Sequence, residues 1–296
     1  MTRVDDNTAP ESCHRPCIVC GGESFEFLFS KGGRDFFQCA GCGHQRQHPL
    51  PTQDDLDAFY EKSYQDGLYL TFSEAEKLKA LTAQHRLKKI KKACRVTGTW
   101  LDVGASTGAF CEAMANSGID AEGLEISETA VKTARDNGLS VRQGRVEDLP
   151  ESHRFDGVTA FDVIEHVRRP ADFLSAMKRT LKPGGTLVLT LPNLRSVSRS
   201  VLRARWYFYI PEEHLHYFDK RTIRRLLERN GFTCLSTKVA AKPMTFNYAQ
   251  TQLKEYNPGV FRVTNALGKL VPARLKAAPI PLPLGEMCIV ARVRDS

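Results

Sequence analysis

Leu101-Asp102-Val103-Gly104-Ala105-Ser106-Thr107-Gly108 decides how this chain is read. An apolar run ends in a turn of small residues that opens into a helix-like stretch. Such a junction lets a ligand approach the backbone, because no Cβ stands in the way at a glycine. Glu125, 23 positions past Asp102, lies near the end of the next strand-like stretch, residues 119–126. A carboxylate there can accept hydrogen bonds from a ribose diol. A glycine-rich turn alone also fits a tight corner with no ligand; the paired acid separates the two readings.

From residue 99 the chain alternates strand-like and helix-like stretches, which predicts a mostly parallel sheet. Strands are expected at 100–103, 120–125, 140–143, 155–161 and 186–191, then at 233–239 and 287–293. Helices at 171–181 and 222–230 are stopped by Lys182-Pro183-Gly184-Gly185 and by Gly231. After the fourth strand comes Phe161-Asp162-Val163-Ile164-Glu165-His166-Val167. A helix starting near Asp162 would place Asp162, Glu165 and His166 on one face. A basic-aromatic insertion at 195–209 leads to Pro211-Glu212-Glu213-His214-Leu215-His216-Tyr217-Phe218. If that segment is extended, His214 and His216 face one side. An imidazole titrates near working pH, so either can deprotonate an acceptor hydroxyl. A structural role for both is the competing reading. Arg203, Arg205 and Trp206 suit a diphosphate and a base or sugar face, or else a solvated basic helix.

Towards the front, Cys17-x2-Cys20-Gly21 and Cys39-x2-Cys42-Gly43 are separated by eighteen residues. Each knuckle offers two thiolates from one tight loop, and four thiolates satisfy tetrahedral zinc. Strand-like residues 25–29 and 34–37 between them complete a zinc ribbon, whose closed site makes the metal structural. Cys13, His14, His44 and His48 lie close by and could replace a ligand, but read as surface residues. Residues 54–93 read as largely helical, with Leu56, Phe59 and Tyr60 forming an apolar stripe and Lys88, Lys89, Lys91 and Lys92 a basic end. Phe59, Tyr60, Tyr64 and Tyr69 are candidates for a flap over a cofactor.

The composition suits a soluble enzyme. No run of eighteen apolar residues is present and the start lacks an apolar leader, so a cytoplasmic chain with no transmembrane segment is expected. The cysteines then read as thiols or metal ligands rather than disulfides. A net charge of +8 favours anionic partners. The stretch 257–285 interleaves leucines with Lys269, Arg274 and Lys276. It reads as a domain-covering loop, with peripheral membrane contact as the alternative.

The spacing Asp102-x-Gly104-x-Ser106-x-Gly108 resembles motif I of the class I S-adenosylmethionine-dependent methyltransferases, with Ser106 at the family's usual middle glycine. The resemblance covers residues 99–296. It implies an α/β, Rossmann-like sheet of seven strands whose final strand slots between its two predecessors, and S-adenosylmethionine (SAM) as cofactor. Gly104, Ala105 and Gly108 would line the methionine and ribose, Asp102 would orient the loop or the amino group, and Glu125 would hold the ribose. Many relatives carry aspartate where Arg145 stands. Val146 and Glu147 are therefore the expected adenine contacts, and Asp162 completes the cofactor set.

The 161–167 segment resembles the Glu-His motif of ubiquinone-type O-methyltransferases and of nucleotide-sugar C-methyltransferases. In the former an acid at the position of Asp162 has been linked to a divalent metal, here Mg²⁺; in the latter the pair does acid–base work. His166 and Glu165 are accordingly the first catalytic candidates, with His214 and His216 behind them. Leu191-Pro192-Asn193 and the 211–218 segment resemble a methyltransferase subgroup of carbohydrate and secondary-metabolite pathways. The resulting expectation is a zinc ribbon at 1–50, a helical linker or cap at 51–98, and a catalytic domain at 99–296 with insertions about 195–218 and 240–285. The expected acceptor is a small molecule or carbohydrate: a nucleotide sugar, glycan or related metabolite, methylated at carbon or oxygen. The alternative is a ribosomal RNA base methyltransferase whose zinc module reads RNA. An Asn-Pro-Pro-Tyr-type tetrapeptide is absent from the sequence, which disfavours amino-group nucleic-acid methylation. The intact Asp102, Gly104, Gly108 and Glu125 oppose a third reading, an adaptor with a decayed cofactor domain.

Overall fold

The computed structural model describes residues 15–66, 73–150, 152–247, 249–250, 258–268 and 272–294. Cys13, His14 and Tyr69 lie outside them. The chain opens with β1 (Phe25–Lys31), β2 (Arg34–Cys39) and β3 (Gln45–His48), followed by α1 (Gln53–Gln65) and α2 (Ser73–Lys91). The alternating region runs β4 (Thr99–Val103), α3 (Ala109–Ala115), β5 (Asp120–Glu125), α4 (Glu128–Asp136), β6 (Val141–Gln143) and β7 (Phe155–Phe161). It continues through α5 (Pro170–Thr180), β8 (Leu181–Pro192), α6 (Val197–Leu202), β9 (His216–Tyr217), α7 (Lys220–Arg229) and β10 (Phe232–Met244). Helices α8 (Pro258–Gly268) and α9 (Ala273–Lys276) precede the last strand, β11 (Ile280–Val293).

The large sheet has seven strands in the order β10-β11-β8-β7-β4-β5-β6. Strands β4 to β8 pair in parallel, whereas β11 is antiparallel to both β8 and β10. The last strand thus sits between its two predecessors. Central strands are apolar on both faces: Leu101 and Val103 on β4, Val158 and Ala160 on β7, and Leu187 and Leu189 on β8 are all buried. That is the pattern of a parallel sheet covered by helices on both sides. Phe173, Leu174, Ala176 and Met177 present one buried stripe of α5 to the sheet.

The expected strands of the large sheet are present, but two strands that were not expected matter most. Strand β3 pairs with β2, and β9 adds to β3, giving a small sheet ordered β1-β2-β3-β9. Its fourth strand comes from far down the chain, so the front module and the catalytic region share a sheet. Cys17, Val19 and Cys39 accordingly belong to the same apolar core as Phe218, Ile223 and Leu226. The edges of the last strands also differ from expectation. β10 and β11 extend well past 239 and before 287, and the described part of 257–285 carries α8, α9 and the start of β11 rather than a plain loop. The pairing of Lys242 with Leu282 and of Met244 with Ile280 sustains that extension.

Gly157 offers a direct test of packing in the large sheet. A Cβ there would come within 2.4 Å of Trp100 Cζ3, on the neighbouring strand. Gly157→Ala is expected to destabilise the protein by about 1–3 kcal/mol, read as a lowered denaturant midpoint at unchanged slope.

Candidate active site

A cavity of about 760 Å³ opens beyond the carboxyl ends of β4, β5 and β7. Its first end is built by the turn after β4. Gly104 (φ 75), Ser106 (φ 52) and Gly108 (φ 83) all adopt left-handed backbone. A Cβ would come within 2.6 Å of Val163 at Gly104, and within 2.7 Å of Leu139 at Gly108. Glycine is therefore needed at both, while Ser106 takes the same conformation with a small side chain. Glu125, at the end of β5, accepts the Ser106 N–H at 2.8 Å and the Ile126 and Ser127 N–H groups at 2.8 and 3.1 Å. Burial raises its pKa, against the pull of these three amides. Gly104, Ser106 and Glu125 line the cavity, as do Val146 and Glu147.

Asp102, Ala105 and Gly108 stand behind that surface. The Asp102 carboxylate accepts the Thr159 hydroxyl at 2.6 Å, and burial pushes its pKa up to about 7. Its place is thus to brace the turn. Helix α1 covers this end with Leu56, Tyr60 and Tyr64. It is held there by Glu61, which accepts the Ser127 and Thr129 hydroxyls at 2.7 and 2.5 Å, and by Asp57, which pairs with Arg145 at 2.5 Å. Arg145 is therefore engaged by the covering helix.

At the second end, residues Ile164–His166 form a single 3-10 turn, not the expected helix. Glu165 is 1% exposed and neither of its carboxyl oxygens has a hydrogen-bond partner. Burial, reinforced by the negative charge of Asp162, pushes its pKa well above the ordinary carboxylate value and so favours its neutral form. His166 Nδ1 lies 2.6 Å from the Tyr60 hydroxyl, and burial lowers its pKa to about 4. The His214 ring meets His166 edge-on with centroids 4.6 Å apart, and stacks near-parallel on Phe208 at 6.0 Å. Burial also holds His214 neutral, and its Nδ1 is unpartnered. Ligand atoms of Glu165, His166 and His214 all lie within 4.8 Å of one another.

Three expectations need correction here. Asp162 lines the cavity with Glu165 and His166 but not on a shared helical face: its backbone is left-handed (φ 58) and its carboxylate is engaged elsewhere. It accepts from Arg86 at 2.7 Å, Lys242 at 3.0 Å and Thr190 at 2.9 Å. Burial alone would raise its pKa, but Lys242 and Arg86 outweigh burial and hold it ionised. A magnesium site built on Asp162 is therefore not formed. The remaining donors, two imidazoles and a carboxyl, are a poor match to an ion that prefers oxygen. His216 is absent from the cavity lining, being 1% exposed within the small sheet and stacked on His44 at 5.3 Å. Trp206 is fully buried in an aromatic cluster with Phe36, Tyr209 and Tyr217, while Arg203 and Arg205 point to solvent. The ring thus packs the insertion and offers no face to a ligand.

Sequence reasoning missed Lys242 and Glu286, which both line the cavity and pair with each other at 2.6 Å. The one signal available was an acid directly ahead of the apolar run that begins at Met287. Nothing in the local pattern marked Lys242 or its partner Arg86.

In the front module, Cys17 and Cys42 Sγ lie 3.6 Å apart, and Cys20 and Cys39 Sγ 3.4 Å apart. All four fall within 4.8 Å of one another. A tetrahedron with bonds of about 2.3 Å needs sulfurs at roughly this separation, so the donor set fits zinc. His44 is fully buried, with Nδ1 3.8 Å from Cys17 Sγ, and so supports the site from behind rather than lying on the surface.

A family model described as a methyltransferase domain matches residues 75–237, more than half of the chain. Among curated proteins the chain is similar to the ubiquinone biosynthesis O-methyltransferase of Methylococcus capsulatus, with 41% identity over 101 residues, 31% of this chain and 43% of that protein. It is also similar to the protein of the same name from Roseobacter denitrificans, with 28% identity over 179 residues, 52% of this chain and 72% of that protein. The first five such relatives are matched over 41% to 57% of their own length, so the chain spans about half of each. Among solved structures, one from the complex between the Haloferax volcanii Trm112 methyltransferase activator and a methyltransferase gives a TM-score of 0.55 at 20% identity, covering 83% of this chain and 100% of that one. Magnesium protoporphyrin IX methyltransferase from Synechocystis, with bound SAH, gives 0.54 at 14% identity over 82% and 100%. At such identities the likeness concerns the fold alone.

The cysteine geometry sets a stoichiometry. Metal analysis of the purified protein is expected to give about one zinc per chain, and Cys39→Ser to lower that ratio sharply. Zinc retained in the variant would remove Cys39 from the donor set.

Proposed function

Because the chain belongs to the methyltransferase-domain family of SAM-dependent enzymes, we propose that it methylates a hydroxyl of a small, hydroxyl-rich acceptor, such as a nucleotide sugar, a glycan ring or a related metabolite. One observation carries this reading. A single cavity joins a nucleoside-type cradle, Gly104, Ser106 and Glu125, to a buried cluster of uncharged polar groups, Glu165, His166 and His214. The naming of the curated relatives as O-methyltransferases favours oxygen as the nucleophile.

Glu125 and the backbone of the 104–106 turn would hold the ribose and methionine, with Val146 and Glu147 beside the adenine. Bound SAM supplies a methyl group already activated on a sulfonium, which leaves proximity, alignment and removal of one proton to the protein. His166 is placed for the proton. The ring meets the Tyr60 hydroxyl through Nδ1 at 2.6 Å and also bonds the Glu213 backbone; in the tautomer with its proton on Nδ1, the Nε2 lone pair would accept from the acceptor hydroxyl. Glu165, whose protonated form burial favours, would then donate a hydrogen bond to an acceptor oxygen. Phe208 and His214, stacked near-parallel, offer a ring face to a cyclic acceptor, and α1 covers the cofactor end. The RNA reading draws less support, since one edge of the small sheet pairs with β9 and so faces the protein's own interior.

Nucleotide sugars and free hydroxylated rings should be screened for mass gain of one methyl group; methylation of ribosomal RNA in place of these would overturn the proposal. Glu125→Ala is expected to weaken SAM binding by about 1–3 kcal/mol, measured by calorimetry, and unchanged affinity would take Glu125 out of the site. His166→Ala should lower turnover by about 10²–10⁴-fold with cofactor affinity nearly intact. The pH profile gives a separate check. His166 works as a base only when neutral, and its pKa is lowered to about 4. The acid limb of turnover should therefore fall near that pH, not near the ordinary histidine value of about 6.5. An acid limb at the ordinary value would assign the proton to another group.

A further inference from the structure

We propose that the metal-closed ribbon positions the acceptor wall of the active site, in addition to folding the front of the chain. The connection runs through one peptide unit. The Leu215 C=O accepts the N–H of Gln47 on β3 at 3.2 Å, and the Leu215 N–H donates to the Glu165 C=O at 2.8 Å. Leu215 is thus held between the ribbon on one side and the Glu165–His166 turn on the other. Its neighbour His214 lines the cavity and packs edge-on against His166. Immediately after Leu215, His216 and Tyr217 pair with Arg46 and Gln45.

The metal knuckle fixes β3 in turn. Gly43 N–H donates to the Cys39 C=O and Cys39 N–H to the His44 C=O, both at 2.8 Å, so the second cysteine pair leads straight into β3. The His44 ring bridges the two halves, with Nδ1 3.8 Å from Cys17 Sγ and its face on His216. Two further ties fasten the aromatic insertion to the ribbon: Tyr209 O–H donates to Gln45 Oε1 at 2.6 Å, and Lys31 Nζ donates to the Tyr209 C=O at 2.8 Å. The cofactor end is independent of this arrangement. It is built by β4, β5 and α1, and residues 15–50 contribute nothing to the cavity lining. Loss of the metal should therefore loosen the acceptor wall and spare the cofactor cradle.

The test uses the full chain, metal-loaded and after metal removal with a chelator, and only its activity arm depends on the methyltransferase reading. Amide hydrogen exchange across 213–217 is expected to rise by about tenfold or more on metal removal, against less than about twofold at 104–106 and 125–127. Calorimetric affinity for S-adenosylhomocysteine should change by less than about twofold, and zinc alone should restore the protection. Tyr209→Phe keeps the ring and the cysteines but removes the hydroxyl bond to Gln45. It should raise exchange over the same segment while zinc content stays constant. Once an acceptor is known, both perturbations should change acceptor KM or kcat and leave SAM KM in place. Unchanged exchange at 213–217 after zinc removal would overturn the inference. So would protein isolated without metal, or a loss of protection and cofactor binding throughout the chain, which is what a purely structural metal would give. If the metal-loaded protein fails to bind S-adenosylhomocysteine, the methyltransferase reading falls, and the exchange data still decide the role of the ribbon.

Discussion

The Asp162 carboxylate, gripped by two cations at the end of β7, is the interaction on which the cavity floor depends. Arg86 comes from α2, Lys242 from β10 and Thr190 from β8, and Lys242 carries the link on to Glu286 of β11. Five elements from separate parts of the chain are thus joined in one network. Arg86, Asp162 and Lys242 are partly exposed and Glu286 is buried, and the two cations and two acids balance across the set. Removing one partner leaves the others unpaired, at a cost reduced by the solvent that still reaches Arg86, Asp162 and Lys242. The same balance governs the chemistry next door. With Arg86 and Lys242 already occupying the Asp162 carboxylate, a divalent cation at that position would meet two like charges, and the acid expected to hold a metal serves as a structural anion.

Much of this architecture could be read from the sequence because it rests on short-range patterns. The turn at 101–108 works by small residues at fixed spacing, and Glu125 follows from the length of one helix and one strand. The cysteine knuckles are equally local. What could not be read depends on contacts between distant segments. Gln45-Arg46-Gln47-His48 has no apolar alternation and does not look like a strand, yet Gln45, Arg46 and Gln47 are buried because β2 and β9 flank them. His216 and Tyr217 are too few to signal a strand alone. The expectation that His214 and His216 share a wall failed for the same reason: pairing with β3 begins at His216 and draws it into the small sheet, leaving His214 at the cavity. A helical face for Asp162, Glu165 and His166 assumed regular geometry, which the left-handed residue at Asp162 removes. The pairing of Lys242 with Glu286 spans 44 positions and leaves no periodic trace.

The two ends of the cavity differ in how they treat charge, and that difference suits a reaction that needs one proton moved. At the cofactor end Glu125 keeps three backbone donors around its carboxylate, an environment that can hold a polar ligand in one orientation. At the other end burial works against charge instead, raising the pKa of Glu165 and lowering those of His166 and His214. A neutral imidazole beside a neutral carboxyl offers one lone pair and one O–H, a complementary acceptor and donor for a hydroxyl. Such a pair works only if the groups stay within hydrogen-bond reach, because a buried polar group that loses its partner costs about 1–3 kcal/mol. Neither Glu165 oxygen has a protein partner to hold it, so its position must be set by its backbone. That backbone is fixed on one side by β7 and on the other by the Leu215 N–H, itself braced from the ribbon. An apolar wall tolerates small displacements that directional donors and acceptors do not, and the small sheet of β1, β2, β3 and β9 stands directly behind this one.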